Sequence, residues 1–93
     1  MRAVAGSLPA LMRAAKIVKR AVQHGGAYPD ADAAWSEWKQ NVSEQALGNL
    51  LLALSSKANQ KEIEAELSLN KAIDRFISRF EQEEANRSTQ QNP

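Results

Sequence analysis

The stretch WSEWKQNVSEQALGNLLLAL, residues 35–54, decides the fold. Its apolar side chains recur mostly at steps of three and four, which places them along one side of an α-helix. They are Trp35, Trp38, Val42, Ala46, Leu47, Leu50, Leu51 and Leu54. Because both tryptophans lie on this stripe and large rings bury much apolar area, we expect the rest of the chain to pack against it. The opposite face is polar, and it is either a solvated surface or the remains of a polar site.

Length and composition predict one domain, residues 1–84, followed by a disordered tail, residues 85–93, whose one apolar residue is an alanine. The chain has no cysteine, which excludes disulfides and thiolate metal sites. No segment approaches the ~20 apolar residues of a membrane span, so we expect a cytoplasmic protein without a membrane partner. Five cationic residues and no acid precede Asp30. The basic helix in this segment lacks interleaved aromatic residues, so we do not expect a nucleic-acid partner.

The first helix is predicted over residues 8–23. Ser7 is its expected N-cap, and Pro9 falls in the first turn, where its missing N–H is harmless. His24, the only histidine of the chain, is followed by Gly25 and Gly26. A glycine there predicts a left-handed C-cap, and we interpret His24 as a partner of the helix dipole in preference to a catalytic residue or metal ligand.

The central helix is predicted over residues 33–56, with Asp30 or Asp32 as its cap in preference to a metal ligand. Its continuity is open, because Val42 and Ser43 resemble a hydrophobic staple and N-cap, which would break the helix near Asn41. Gly48 lies inside the helix at a cost of up to ~1 kcal/mol, which predicts a close packing contact at that position. Residues 57–59 are the expected connection to the next helix.

The last helix is predicted over residues 60–84, with Asn59 as its cap. Its apolar residues recur at helical spacing, and we interpret the two phenylalanines as core and not as a stacking site for a base. These residues are Ile63, Leu67, Ile73, Phe76, Ile77 and Phe80. The chain is therefore expected to be all-α, with three main helices. A central helix of ~36 Å is too long for two neighbours to cover, which predicts a homodimer.

Three stretches together resemble the MazG family of all-α nucleoside triphosphate pyrophosphohydrolases. Residues 8–20, LPALMRAAKIVKR, with Gly25, Tyr28 and Pro29, are similar to the opening helix and turn of the family. Residues 47–54, LGNLLLAL, are similar to its LGDLLFAL. Arg75-Phe76 and Arg79-Phe80, followed by acids, resemble its closing KFxRRFxxxE. The resemblance covers about residues 7–84.

The resemblance implies an activity and a metal. Enzymes of this family hydrolyse nucleoside triphosphates to nucleoside monophosphate and pyrophosphate, which clears aberrant nucleotides, and they work as helical dimers or tetramers. They use Mg²⁺, which the family holds with carboxylates in an EExxE motif on one helix and an ExxD motif on the next. Lys16, Lys19 and Arg20 would then be the residues of this chain that meet the phosphates of the substrate.

The carboxylates of this pattern are largely absent here. Counting on from the turn at residues 28–30 places Gln40, Asn41 and Glu44 at the three acids of EExxE. Aligning LGNLL with LGDLL places Ala46 and Asn49 at the two acids of ExxD. Glu44 is thus the only family carboxylate that remains as a candidate metal ligand, and no catalytic residue is assigned.

Two functions stay open from the sequence. The first is a weak or inactive pyrophosphohydrolase that requires Mg²⁺ if it is active. The second is a non-catalytic helical module that self-associates or binds a nucleotide. We interpret the polar helix face as solvated in preference to a working metal site, although Glu37, Glu62 and Glu66 are candidate replacement ligands. The spacer between the two family motifs is also missing, which favours one continuous central helix.

Overall fold

The computed structural model describes residues 8–91, and their side chains as far as residue 87. This part of the chain consists of four α-helices and contains no strand, so the predicted all-α class is confirmed. The helices are α1, Ala10–Gln23; α2, Ala31–Gln40; α3, Glu44–Gln60; and α4, Ala65–Gln91. α3 packs against α1 and α2, and α4 meets α1 and α3.

The end of α1 follows the prediction and its start does not. Gly25 has φ 97°, Gly26 N–H donates to the Ala21 carbonyl at 2.9 Å, and Gly25 N–H donates to the Val22 carbonyl at 3.1 Å. This is the left-handed C-cap predicted from the glycines. The helix begins at Ala10, two residues later than predicted, because Pro9 has the extended ψ of 145° and occupies the N-cap position. The predicted cap Ser7 lies outside the described residues.

The central segment is two helices, so the prediction of one continuous helix and the count of three helices are wrong. The break near Asn41, the other possibility, is confirmed. Asn41 has φ −137° and ψ 89°, and Ser43 is extended with its Oγ accepting from the Ala46 N–H at 3.1 Å. A serine cap satisfies an N–H that a helix start leaves without a partner, which stabilises a new helix here. Asp30 caps α2 in the same way, accepting from the Ala33 N–H at 3.1 Å.

The connection before α4 lies later than predicted. Residues 57–59 are helical and belong to α3, so Asn59 is not the cap of the last helix. The turn is closed by Ile63 N–H, which donates to the Ala58 carbonyl at 2.9 Å, and Glu62 has the left-handed φ of 61°. Because a glutamate occupies the position that glycine usually takes, composition does not mark this turn.

The core is small and is built mainly from short side chains. Its buried residues are Val18, Ala31, Ala46, Leu50, Ala53, Ser55 and Ser56. The inward face of α3 is therefore the row 46, 50 and 53, whereas Leu47, Leu51 and Leu54 are exposed. The expected burial of both tryptophans is wrong for Trp35, which is 50% exposed with Lys39 Nζ 5.5 Å from its ring centroid.

α4 continues to Gln91 and not to the predicted end near residue 84. Alanine, glutamate, glutamine and arginine favour helix even where they pack against nothing, which accounts for the extension. The division into a domain and a tail stays a prediction.

The expectation that the phenylalanines are core is not met within one chain, since Phe76 is 64% and Phe80 47% exposed. Within the described residues no helix has the length and hydropathy of a membrane span.

Candidate functional site

Three of the family positions come together at the junction of α2 and α3. They line a cavity with a volume of about 140 Å³. Its lining residues are Glu37, Asn41, Ser43, Gln45, Ala46 and Asn49. Asn41, Ala46 and Asn49 are positions at which the resemblance implies acids, so the cavity corresponds to the expected metal site.

The break between the helices builds this cavity. Glu37 and Asn41 are four residues apart at the end of α2, and Gln45 and Asn49 are four residues apart at the start of α3, so each pair lies on one helix face. Ser43 lies between the helices and is committed to capping the Ala46 N–H. A single continuous helix would not have turned the two pairs toward a common cavity.

The chemistry of the lining residues does not fit a Mg²⁺ site. Mg²⁺ prefers oxygen ligands and is usually held by one or two carboxylates together with substrate phosphates and water. Glu37 is the only carboxylate among the lining residues, and Ala46, which is 3% exposed, offers no side-chain oxygen. Across the described side chains there is no cluster of three or more histidine, cysteine, aspartate or glutamate residues. The arrangement offers hydrogen bonds from amides and a single negative charge.

Glu44 and Gln40 are not among the residues that line this cavity. Glu44 lies in the first turn of α3 and is exposed, where its charge favours the N-terminus of the helix. Gln40 is the last residue of α2 and is also exposed. A ligand role for Glu44 stays a prediction.

Of the three predicted phosphate-binding residues, one lines a cavity in the described part of the chain. Lys16, Lys19 and Arg20 are all exposed on α1. Only Lys16 lines the larger cavity of about 340 Å³ between α1 and the α3–α4 connection. Its other lining residues are Leu11, Met12, Ala15, Asn59, Glu62, Ile63, Glu64 and Ala65. Two acids therefore accompany the one lysine, which disfavours a triphosphate there.

Sequence reasoning identified the family positions but did not identify Gln45 as part of the site. Glu37 was recognised only as one of three candidate replacement ligands, and Glu62 and Glu66 do not line the cavity at the junction. The signal that identifies Glu37 and Gln45 is their spacing of four from Asn41 and Asn49. That signal is informative only once the helix break is known.

Comparison with known proteins gives two relatives, both named nucleoside triphosphate pyrophosphohydrolase, from Escherichia coli strain K12 and Escherichia coli O157:H7. Each is 36% identical over an alignment of 94 positions, which includes 84% of this chain. The chain spans 36% of the length of these relatives. Since the aligned length exceeds the 93 residues of the chain, the relatives have additional residues within the matched region. No family model and no solved structure matches the chain. The chain is therefore a homologue of part of the nucleoside triphosphate pyrophosphohydrolases, and its resemblance to the MazG family is confirmed.

Proposed function

We propose that this chain is a MazG-like protein in which hydrolysis of nucleoside triphosphates to monophosphate and pyrophosphate is lost. In place of that activity it acts as a helical module that self-associates. The observation that supports the loss of activity is the cavity at the α2–α3 junction, where Glu37 is the single carboxylate among six lining residues.

The physical reason lies in the charge of the metal ligands. A divalent cation in such a site neutralises the phosphates of the substrate and is itself held by carboxylates. Asn41 and Asn49 can offer amide oxygens, but an amide adds no charge to offset that of the cation. Removing several negative charges therefore weakens metal binding even where the shape of the site is kept.

Pyrophosphate release from a panel of nucleoside triphosphates, with Mg²⁺ or Mn²⁺, tests this proposal. We expect the wild-type chain to release no more pyrophosphate than Glu37→Ala or Glu44→Ala, because neither acid belongs to a group that holds the metal. A metal-dependent wild-type rate that disappears in either variant would contradict the proposal and favour the weak enzyme.

The control for this experiment returns charge to the cavity. The variant Asn41→Glu/Asn49→Asp places two further acids beside Glu37. We expect its Mg²⁺ affinity, measured by calorimetry, to exceed that of the wild type by about tenfold. Equal affinities would show that missing charge is not what weakens the site.

Self-association is supported by the surface that a single chain leaves exposed. The accessible surface is 7329 Å². A compact monomer of 10.2 kDa exposes about 5,300 Å² on the usual scaling with mass. The excess of about 2,000 Å² is larger than the ~800 Å² that each partner buries in an interface of standard size. A homodimer is the simplest assembly that covers it.

Nucleotide binding without turnover has less support than self-association. The cavity at the junction is smaller than the ~300 Å³ at which small-molecule pockets begin. The larger cavity beside Lys16 reaches that size, but Glu62 and Glu64 line it as well. We therefore propose self-association through the exposed apolar surface, in preference to nucleotide binding, as the function of the chain.

A further inference from the structure

The surface of α4 carries a second feature, which lies in the stretch that resembles the closing KFxRRFxxxE motif of the family. A cavity of about 170 Å³ lies on this one helix, lined by Phe76, Arg79, Phe80 and Glu83. These residues are related as i, i+3, i+4 and i+7. In a coiled coil, four such residues form the hole that receives a side chain, the knob, from a facing helix.

The apolar residues of α4 continue the same pattern. Leu69, Ile73, Phe76 and Phe80 follow one another at steps of four, three and four, which is the spacing of the d and a positions of a heptad. Each of them is at least 45% exposed in the single chain. A side-by-side helix is the kind of partner that covers such a row.

We propose that α4 is the interface between two copies of this chain, arranged as a parallel, in-register helix pair. Phe80 of each copy would enter the hole formed by Phe76, Arg79, Phe80 and Glu83 of the other. A cavity of about 150 Å³ in a protein core accommodates benzene, so a hole of 170 Å³ is of the right size for a phenylalanine ring.

A second copy is the chosen occupant because one helix supplies both parts of the contact. In a parallel, in-register pair, a knob at an a position enters the hole formed around the same a position of its partner. Phe80 is at an a position, and the observed hole is the one around Phe80. Twofold symmetry then repeats the contact on the other side without any further residue.

The charges at the e and g positions favour the parallel orientation, whereas Glu83, at a d position, then lies opposite its own copy. With Ile73 and Phe80 at a positions, Arg79 is at a g position and Glu84 is at the following e position. Parallel helices bring these two positions together across the interface, once on each side. Antiparallel helices pair g with g and e with e, and no acid then meets a base, because the other residues there are Ala72, Asn86, Asn70 and Ile77. Within its own helix, Glu84 forms an ion pair with Arg87 at 4.0 Å. Because both side chains are exposed, this ion pair is weak.

This inference rests on the self-association part of the proposed function and is independent of the part about catalysis.

Sedimentation equilibrium of the full chain tests whether α4 is the interface. We expect the wild type to be a dimer and Phe80→Glu to be monomeric at the same concentration. The matched control is Arg75→Glu, which changes charge on the outward side of α4 and should remain a dimer. Circular dichroism shows whether each variant keeps its helices.

Three further variants separate this interface from other dimers and do not depend on the folding of Phe80→Glu. Since the chain has no cysteine, Leu69→Cys introduces one thiol, which should form a disulfide-linked dimer on oxidation only if the helices are parallel and in register. Arg79→Glu should weaken the dimer about tenfold, and adding Glu84→Arg should restore it.

The outcomes distinguish the two proposals. A monomeric wild type overturns both this interface and the proposed self-association. If the dimer persists in Phe80→Glu, self-association remains but the α4 interface is overturned. Dissociation of the dimer in Leu51→Glu, with no effect of Phe80→Glu, leads to the same conclusion. A dimer in which Leu69→Cys does not cross-link overturns the parallel arrangement.

Discussion

At the scale of the residue, Gly48 tests whether α3 packs against anything outside the single chain. It is exposed in the second turn of α3, and a Cβ built there meets no atom within 4 Å, so the packing contact predicted from the sequence is absent within this chain. We therefore expect Gly48→Ala to raise the free energy of unfolding by about 0.5–1 kcal/mol in urea denaturation, because alanine loses less backbone entropy.

Gly25→Ala is the control for this prediction. At φ 97° an alanine is strained even where there is space, so this variant should lose stability. If Gly48→Ala also loses stability, an atom from outside the chain packs against Gly48, and the face of α3 that carries Leu47, Leu51 and Leu54 would be an interface.

At the scale of the element, the turn between α3 and α4 depends on a residue that suits it poorly. Glu62 occupies the left-handed region at φ 61°, which costs a residue with a side chain about 1 kcal/mol or more. We expect Glu62→Gly to stabilise the chain by about 1 kcal/mol in urea denaturation, and Glu62→Asn to give a smaller gain. Lys61→Gly, at φ −95°, should give no gain. A loss in Glu62→Gly would show that the carboxylate makes a stabilising interaction that outweighs the strain.

The helices also show how far the sequence predicts the fold. The end of α1 was predictable because Gly25 and Gly26 are a local signal that depends on no distant contact. The Ser43 cap was visible, yet a continuous helix had the better apolar periodicity, so local signals left two alternatives. The turn at Glu62 carries no compositional mark. The family positions of the site were predictable from the resemblance, whereas the roles of Glu37 and Gln45 required knowing how α2 and α3 face each other.

At the scale of the whole molecule, the packing of the helices decides which leucines of α3 are buried. Periodicity places Ala46, Leu47, Leu50 and Leu51 on one broad stripe, but it does not say which edge of the stripe turns inward. In the chain the edge with alanines is buried, and the edge with Leu47, Leu51 and Leu54 is exposed. The short side chains of Ala46 and Ala53 allow neighbouring helices to approach α3 closely. The larger side chains of Leu47, Leu51 and Leu54 remain on the surface, where a partner could contact them.

The dimensions of the molecule lead to the last prediction. The radius of gyration is 18.1 Å, against about 12 Å for a compact chain of this length. The cause is α4, which is ~40 Å long and whose described side chains are all exposed from residue 67 to residue 87. If a second copy covers α4, folding is coupled to association, and each tenfold rise in protein concentration should add about 1.4 kcal/mol per mole of dimer to the free energy of unfolding. We therefore expect the Tm measured by circular dichroism to rise with concentration in the wild type and in Arg75→Glu, and to be constant in Phe80→Glu. A wild-type Tm that does not change over a hundredfold range would mean that the exposed row on α4 is stable without a partner copy.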